Sequence, residues 1–227
     1  VILYAIGRPP PALSRFRAAN SPVVAMGPSA FCRGLPGVLV SERGATIAAM
    51  RRLIDLGHRR IAFINYDTPP GRYAYRTRAI RRELTAEDGP GWNPELLVNV
   101  NTVEECRARL AALLGQPNRP TALVVLTTPF IPYVLQSIYE AGLRVPEDIS
   151  VLVYGDSPWA AAHRPPLSVV AVDYYEWGRE TAELLLRQIE APNETPPRFT
   201  RESQFIERAS LAAPPIGPLS PGGRGLG

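Results

Sequence analysis

The sequence predicts an α/β fold built on a parallel sheet with helices on both faces, and three observations support this prediction. Short apolar runs alternate along the chain with longer segments of helical periodicity. The runs are almost continuously apolar, which is typical of parallel strands that are buried on both faces. At 227 residues, 45% of them apolar and 20% charged, the chain is long enough to bury the core of one large or two small domains.

Five of the apolar runs, each bounded by turn residues, are predicted as buried strands. They span residues 61–64, 96–100, 122–126, 149–154 and 168–172. The chain also opens on a strand-like run over residues 1–4, and its first residue is Val rather than Met. We therefore expect the true N-terminus of the protein to lie upstream of this sequence.

Amphipathic helices with recognisable ends are predicted between the strands. The helix over 46–56 ends at Gly57, a residue type that suits the left-handed C-cap position. Thr102 and Glu105 form a capping-box pattern that opens a helix ending at Gly115.

Two further helices complete the pattern, and a different composition follows them. Thr128 and Pro129 are predicted as the N-cap and first residue of a helix that ends at Gly142. The last helix covers residues 177–189. Residues 212–227 contain four Pro and five Gly, and they are predicted as a disordered tail.

The composition excludes several classes of protein. No apolar run approaches the ~20 residues of a membrane-spanning helix, so no membrane association is predicted. Cys32 and Cys106 lie far apart without metal-ligand spacing, which excludes a zinc ribbon or a disulfide scaffold and suits the cytoplasm. A net charge of +4 permits contact with nucleic acid without indicating it. Because no nucleophile, phosphate-loop or metal signature occurs, we expect no metal, no cofactor and no catalysis.

Polar side chains follow the predicted strands at their carboxyl ends, where open parallel sheets bind ligands. They are Asn65, Tyr66 and Asp67 after the first strong strand, Asn101 after the second, Thr127 and Thr128 after the third, and Asp156 after the fourth. Together with aromatic residues such as Tyr174 and Trp159, these groups suit a neutral polyol or a sugar. The alternative is that the same residues only cap helices and close turns.

Five arginines are concentrated in the segment 72–82, and the residues alone leave three interpretations open. They are Arg72, Arg76, Arg78, Arg81 and Arg82. The segment is a solvated basic face, a stripe that contacts nucleic acid, or a helix on which one Arg points inward to bind a ligand. His58, at a predicted helix end, is interpreted as a structural residue that bonds the last helix carbonyls.

Several blocks resemble the LacI/GalR family of bacterial transcription regulators. Residues 53–64 (LIDLGHRRIAFI) resemble its helix-to-strand signature, and residues 141–151 (AGLRVPEDISV) resemble its Gly-x-x-Val-Pro-Glu-Asp-Ile-Ser-Val block. Residues 165–170 (PPLSVV) resemble its Pro-x-Leu-Thr-Thr-Val stretch, and residues 208–210 resemble its closing Arg-x-Ser. The blocks keep the family's order over roughly residues 1–211.

The resemblance implies two parallel-sheet lobes of the periplasmic-binding-protein type I, joined by three crossovers, with the first lobe incomplete. The N-terminal lobe would contain residues 1–60 and 173–200, and the C-terminal lobe residues 61–172 and 201–211. The resemblance further implies a cytoplasmic homodimer that senses a small effector between the lobes. Operator DNA would be bound by an N-terminal domain that this sequence lacks, so no DNA-binding residue is expected in it.

The resemblance also ranks the candidate ligand residues. Arg76 stands where the family has its effector-binding Arg, whereas Thr127 and Thr128 replace an Asn-Asp pair, and the carboxylate of a Gly-Phe-Asp motif is displaced to Asp156. The predicted effector is a sugar or a related polyol, and its predicted ligands are Arg76, Thr127, Thr128, Asp156, Asn101, Tyr174 and Tyr66.

Other functions stay open beside the effector-sensing and dimerisation core of a regulator. A periplasmic sugar-binding protein of a transporter shares the fold and would need a signal peptide upstream. An enzyme would need an acid–base pair, which the sequence does not show. A regulator whose DNA-binding module is of another class is the third alternative.

Overall fold

Ten strands and seven α-helices occur in the part of the chain that the computed structural model describes, which comprises residues 1–4, 12–19, 21–28, 35–66, 74–192, 194 and 197–216. The strands are β1 (Ile2–Tyr4), β2 (Val24–Pro28), β3 (Gly37–Ser41), β4 (Ile61–Tyr66), β5 (Leu97–Val100), β6 (Ala122–Val125), β7 (Ser150–Tyr154), β8 (Ser168–Ala171), β9 (Arg198–Glu202) and β10 (Gln204–Ile206). The helices are α1 (Ala12–Ala18), α2 (Arg43–Asp55), α3 (Ala74–Leu84), α4 (Val103–Leu114), α5 (Ile131–Glu140), α6 (Pro158–Ala162) and α7 (Tyr174–Glu190). Cys32, Asp67, Arg72 and residues 217–227 lie outside the described residues.

The larger sheet contains all five strands that the apolar runs predict, each within two residues of its predicted ends. Its spatial order is β10-β8-β7-β6-β4-β5. All neighbours run parallel except β10, which pairs antiparallel with β8. The α/β fold with parallel-dominated sheets is therefore confirmed.

Helices cover both faces of this larger sheet. On one face, Leu110 of α4 and Ile131 and Val134 of α5 join a core of buried strand residues. On the other face, Leu53 of α2 and Ile80 of α3 pack against the opposite side of the same strands. Strand residues that are buried on both sides must be apolar throughout, which explains the continuous apolar runs in the sequence.

The smaller sheet is entirely parallel, in the order β1-β2-β3-β9. Leu13 of α1 packs on one face, and Trp177 and Leu184 of α7 pack on the other. The indole N–H of Trp177 donates a hydrogen bond of 2.7 Å to the carbonyl of Val38, which fixes α7 on β3. Of these strands, the sequence predicts the first and does not predict β3 or β9.

The chain passes between the two sheets three times: between β3 and α2, between β8 and α7, and between β9 and β10. Helix α2 lies within the range 1–60 that the resemblance assigns to the first lobe, but its buried residues pack with the larger sheet. Strand β9 spans the expected boundary at residue 200 and pairs with β3 over its whole length. The sheets therefore divide the chain after Ser41, after Ala171 and after Glu202.

The motifs that carry the family resemblance have structural roles at the base of the larger sheet. The Ser210 hydroxyl donates to the Val151 carbonyl (2.6 Å) and accepts from the Ser168 N–H (2.8 Å). Ala212 bonds the Ser150 hydroxyl through both its N–H and its carbonyl (3.0 Å each). Residues 212–216 belong to the tail that the sequence predicts as disordered. The first of them, Ala212, is nevertheless bonded to strand β7.

No helix among the described residues has the length and apolar character needed to cross a membrane. No group of three or more His, Cys, Asp or Glu side chains in the described ranges is arranged to hold a metal ion.

Candidate functional site

A cleft of about 160 Å³ lies where the two sheets meet. The smaller sheet contributes Tyr4, Pro28 and Val40 to its walls, and α7 contributes Tyr174 and Trp177. The chain that follows β6 contributes Leu126, Thr127, Thr128 and Pro129, and Glu42, Arg76 and Val172 complete the lining. The cleft therefore draws its walls from both sheets, at the carboxyl ends of their strands, as the topology predicts.

An ion pair between Arg76 and Glu42 lies in the wall of this cleft. Arg76, on α3, donates from Nε to Glu42 Oε2 (2.5 Å) and from Nη2 to Glu42 Oε1 (2.6 Å). Its Nη1 donates to the carbonyl of Leu126 (2.6 Å), directly after β6. The two side chains are only 12% and 8% exposed, respectively. Such a bidentate, poorly solvated pair is much more geometrically specific than a surface ion pair.

The Tyr154 ring supports the Arg76 guanidinium, whose central carbon lies 4.8 Å from the ring centroid. Burial raises the pKa of the Tyr154 hydroxyl, so that it stays neutral over the ordinary pH range. This hydroxyl forms a 2.8 Å hydrogen bond with Thr46 of α2. Arg76 is therefore held by a carboxylate, a carbonyl and an aromatic face at once.

Thr127 and Thr128 line the cleft with hydroxyls that are already engaged. The Thr127 hydroxyl accepts from the Tyr66 N–H (3.3 Å), and the Thr128 hydroxyl donates to the Tyr154 carbonyl (3.1 Å). The prediction that Thr128 caps a helix is wrong. Residues 128–130 form a short 3-10 turn whose N-cap residue is Thr127, and α5 begins only at Ile131.

The remaining predicted ligand residues divide between the cleft and other places. Tyr174 lines the cleft at the start of α7, where its ring packs 6.1 Å from the Trp177 ring. Tyr66 packs against Phe130 instead and does not line the cleft. Asn101 is exposed before α4, where its N–H donates to the Glu105 carboxylate (2.9 Å).

Asp156 lies beside the cleft rather than in it. Arg208 donates to its carboxylate from Nη1 (3.1 Å) and from Nη2 (2.7 Å), so that this acidic group serves to fix the closing segment of the chain. It lines an adjoining depression that shares Val40, Val172 and Trp177 with the cleft. The structure thus brings Arg76, Thr127, Thr128 and Tyr174 together and leaves Tyr66, Asn101 and Asp156 outside the cleft.

Glu42 is the functional residue that the sequence reasoning missed. It directly follows the apolar run of β3 and serves as the N-cap position of α2, without a side-chain capping bond. An acidic residue between an apolar run and a helix ordinarily indicates helix capping. The position of Glu42 in the cleft is therefore not evident from the sequence. Only recognition of β3 as a strand would have placed Glu42 at the ligand-binding edge of a sheet.

Comparisons with known proteins agree with this architecture. Residues 50–211 match the family described as periplasmic binding protein-like domain. The chain is 30% identical over 164 residues to the ribose operon repressor of Haemophilus influenzae, covering 72% of this chain and 49% of that protein. It is 28% identical over 176 residues to the repressor PurR of Aliivibrio fischeri, covering 75% and 51%, respectively. The chain therefore spans about half the length of these two relatives.

Solved structures show the same arrangement of the two sheets. A LacI family transcriptional regulator from Bifidobacterium animalis superposes with a TM-score of 0.80 at 26% identity, over 94% of this chain and 78% of that one. A complex of the transcriptional regulator CelR with cellobiose superposes with a TM-score of 0.77 at 28% identity, over 92% and 65%.

Proposed function

The chain belongs to the periplasmic binding protein-like family as the effector-binding core of a LacI/GalR-type regulator, and on this premise we propose that a small neutral polar ligand binds in the cleft between its sheets. The observation that carries the proposal is the Arg76–Glu42 pair, which joins α3 to the chain crossing between β3 and α2 in the wall of the cleft. A ligand that bonds Arg76 would therefore bind beside the crossing that connects the two sheets.

The charge balance of the cleft favours a neutral ligand over an anionic one. Glu42 already neutralises Arg76, so an added carboxylate or phosphate would meet no uncompensated positive charge there. Thr127, Thr128 and Tyr174 line the same cleft as the pair with hydroxyl-bearing side chains, and Trp177 supplies an aromatic wall. Hydroxyls beside an aromatic face suit a sugar or a related polyol, and cellobiose is the ligand of one structural relative.

The proposed ligand acts by binding one arrangement of the two sheets more tightly than another. A ligand with equal affinity for the open and closed arrangements would not shift the equilibrium between them, however tightly it bound. Ligand hydroxyls that bond Arg76 on the larger sheet's side and Tyr174 on the smaller sheet's side supply the required difference, because one ligand can reach both residues only when the two sides of the cleft are close.

For the whole protein, we propose a homodimeric repressor that acts in the cytoplasm and binds operator DNA through a module outside this sequence. The relatives matched here are transcriptional repressors, which favours this function over that of a transporter's sugar-binding protein. For the same reason we propose ligand binding without turnover, with Arg76 as a ligand-binding residue rather than a catalytic one.

A thermal-shift screen tests the proposed ligand class. Ribose, cellobiose, sugar alcohols, uronic acids and nucleosides are each added to the protein, and the shift in melting temperature is measured. We expect a neutral sugar or polyol to raise the melting temperature, and we expect Arg76→Ala and Tyr174→Ala each to abolish that shift. Arg81→Ala is the matched control, because Arg81 lies on the same helix and lines no part of the cleft.

Each variant is compared with its own melting temperature without ligand, so that a loss of stability is not confused with a loss of binding. Tyr174 is 49% exposed, and its truncation leaves no large cavity in the core. If only uronic acids raise the melting temperature, the proposal of a neutral ligand is wrong. If a shift survives in both cleft variants, the ligand binds elsewhere.

A further inference from the structure

A second cavity, which we call the arginine groove, adjoins the cleft and has a different chemistry. It has a volume of about 460 Å³ and shares Pro28, Val40, Glu42 and Arg76 with the cleft. Its other walls come from the first turns of α2 and from the exposed face of α3. Arg43, Arg78 and Arg82 project from these helices and line it.

The charges around the arginine groove are not balanced. Four guanidinium groups line it against the single carboxylate of Glu42, and that carboxylate is bonded to Arg76. Within the described ranges, Arg43, Arg78 and Arg82 form no ion pair. Among the residues that the structure describes, the arginine groove therefore carries three guanidinium groups without an ion-pair partner.

Some surface arginines of the chain do have acidic partners. Arg107 of α4 pairs with Glu140, Arg144 in the segment after α5 pairs with Asp148, and Arg179 of α7 pairs with both Glu176 and Glu183. Like charges four residues apart on a helix destabilise it slightly, and Arg78 and Arg82 have this spacing on α3. Arg43 adds a third like charge from α2. An anion in the arginine groove would relieve this repulsion.

We propose that the arginine groove binds a small polyanion, bearing either a phosphoryl group or several carboxylates, through Arg43, Arg78 and Arg82. Guanidinium forks match the oxygen geometry of phosphate and carboxylate, and bidentate pairs of this kind are among the strong hydrogen bonds of proteins. Arg43 is also the first residue of the 13-residue helix α2, whose N-cap residue makes no side-chain cap bond. The positive end of that helix adds to the attraction for an anion.

The arginine groove and the cleft thus select different ligands, although they share a wall. The cleft contains a neutralised Arg76–Glu42 pair, whereas the arginine groove presents uncompensated guanidinium groups. The proposal rests on these charges and not on the proposed effector, so either one can fail without the other.

Isothermal titration calorimetry of the full chain with inorganic pyrophosphate tests the proposal, with citrate as the carboxylate probe and NaCl as an ionic-strength control. We expect saturable binding with one site per chain for at least one of the two probes. The Arg78→Gln/Arg82→Gln double variant and the separate Arg43→Gln variant should each weaken binding at least tenfold, since each removes charge-assisted hydrogen bonds. Arg81→Gln, on the same helix but outside the arginine groove, should change the affinity less than twofold.

The relative affinities of the two probes identify the class of anion that the arginine groove binds. Tighter binding of pyrophosphate assigns a phosphoryl ligand, and tighter binding of citrate assigns a polycarboxylate. Binding that Arg81→Gln weakens as much as the arginine groove variants would show a general effect of net charge and would overturn the site. Absence of saturable binding by both probes at matched ionic strength overturns it as well. Arg43→Gln keeps the test decisive if the α3 double variant unfolds, because Arg43 lies on another helix.

Discussion

At the scale of single residues, His58 shows how a motif residue can be structural. Its side chain is buried, with Nδ1 2.8 Å from the Thr121 hydroxyl and Nε2 2.9 Å from the Ala212 carbonyl. Because a carbonyl only accepts, Nε2 carries the proton, and neutral Nδ1 accepts from Thr121. His58 therefore has a structural role, as predicted, but its hydrogen-bond partners belong to other segments of the chain and are not the last carbonyls of the helix. His58 thus connects the end of α2, the start of β6 and the C-terminal segment.

The burial of His58 predicts that stability depends on pH. Burial lowers the pKa of His58 below its ordinary 6.5, so the unfolded chain binds a proton more readily than the folded one. Stability contributed by the neutral ring is present above about pH 6.5 and is lost as the pH falls from there through the folded pKa. We expect the free energy of unfolding, measured in urea, to be smaller at pH 5.5 than at pH 7.5.

Two histidine variants isolate this effect. His58→Asn should be less stable at pH 7.5 and should lose less of its stability between the two pH values. His163→Asn changes the other histidine of the chain and is the control for the loss of a histidine as such. An equal loss in the wild type and in His58→Asn would show that the pH dependence arises from other groups.

At the scale of elements, a close backbone approach makes a glycine necessary between β2 and β3. A Cβ at Gly37 would lie 2.1 Å from the carbonyl oxygen of its partner Ala25, which is far inside van der Waals contact. We expect Gly37→Ala to destabilise the protein by about 1–3 kcal/mol or more, because the two strands must separate. Denaturation in urea measures the change in the free energy of unfolding.

Gly178 provides the matched control for that substitution. It lies inside α7, and nothing is within 4 Å of the position that a Cβ would take. Gly178→Ala should therefore stabilise the protein by up to ~1 kcal/mol through helix propensity. If both substitutions changed stability in the same direction, the close approach of β2 and β3 would not be the cause.

The same scale explains which elements could be predicted from the sequence. The five parallel strands of the larger sheet are almost continuously apolar because helices cover both faces of the sheet, so periodicity alone finds them, whereas the short antiparallel edge strand β10 was not predicted. Strand β9 was missed because all five of its residues are exposed at the edge of the smaller sheet. The capping prediction at Thr128 failed because the hydroxyl bonds the neighbouring β7 carbonyl, a tertiary contact that no local pattern records.

At the scale of the whole molecule, the site depends on contacts that are distant in sequence. Arg76 could be predicted from a family motif, but its partner Glu42 lies 34 residues away, and the third partner, Leu126, lies 50 residues away. Sequence reasoning assigned Asp156 to the ligand, whereas the fold brings Arg208 to it from 52 residues along the chain. Spacing along the chain identified the strand ends correctly but could not show which polar groups satisfy one another there.

The Arg76–Glu42 pair predicts a change in the dimensions of the molecule when it is broken. The pair joins α3 to Glu42, which lies at the crossing between β3 and α2, and the three chain crossings are the only covalent connections between the two sheets in the described ranges. Removing the guanidinium in Arg76→Gln takes a bidentate charge partner from a carboxylate that is only 8% exposed. Because a buried charge that loses such a partner is destabilised, the cleft should open and admit water to Glu42.

Small-angle X-ray scattering checks this expectation, since a compact chain of 227 residues has a radius of gyration of about 17 Å. At matched concentration and oligomeric state, Arg76→Gln should have a larger radius of gyration than the wild type. The Glu42→Gln/Arg76→Gln double variant should return toward the wild-type value, because it leaves no buried charge to be hydrated. Arg81→Gln should not differ from the wild type. An unchanged radius in Arg76→Gln would mean that packing between the sheets, rather than this ion pair, sets the closed arrangement, and a ligand would then have to act on that packing to move them.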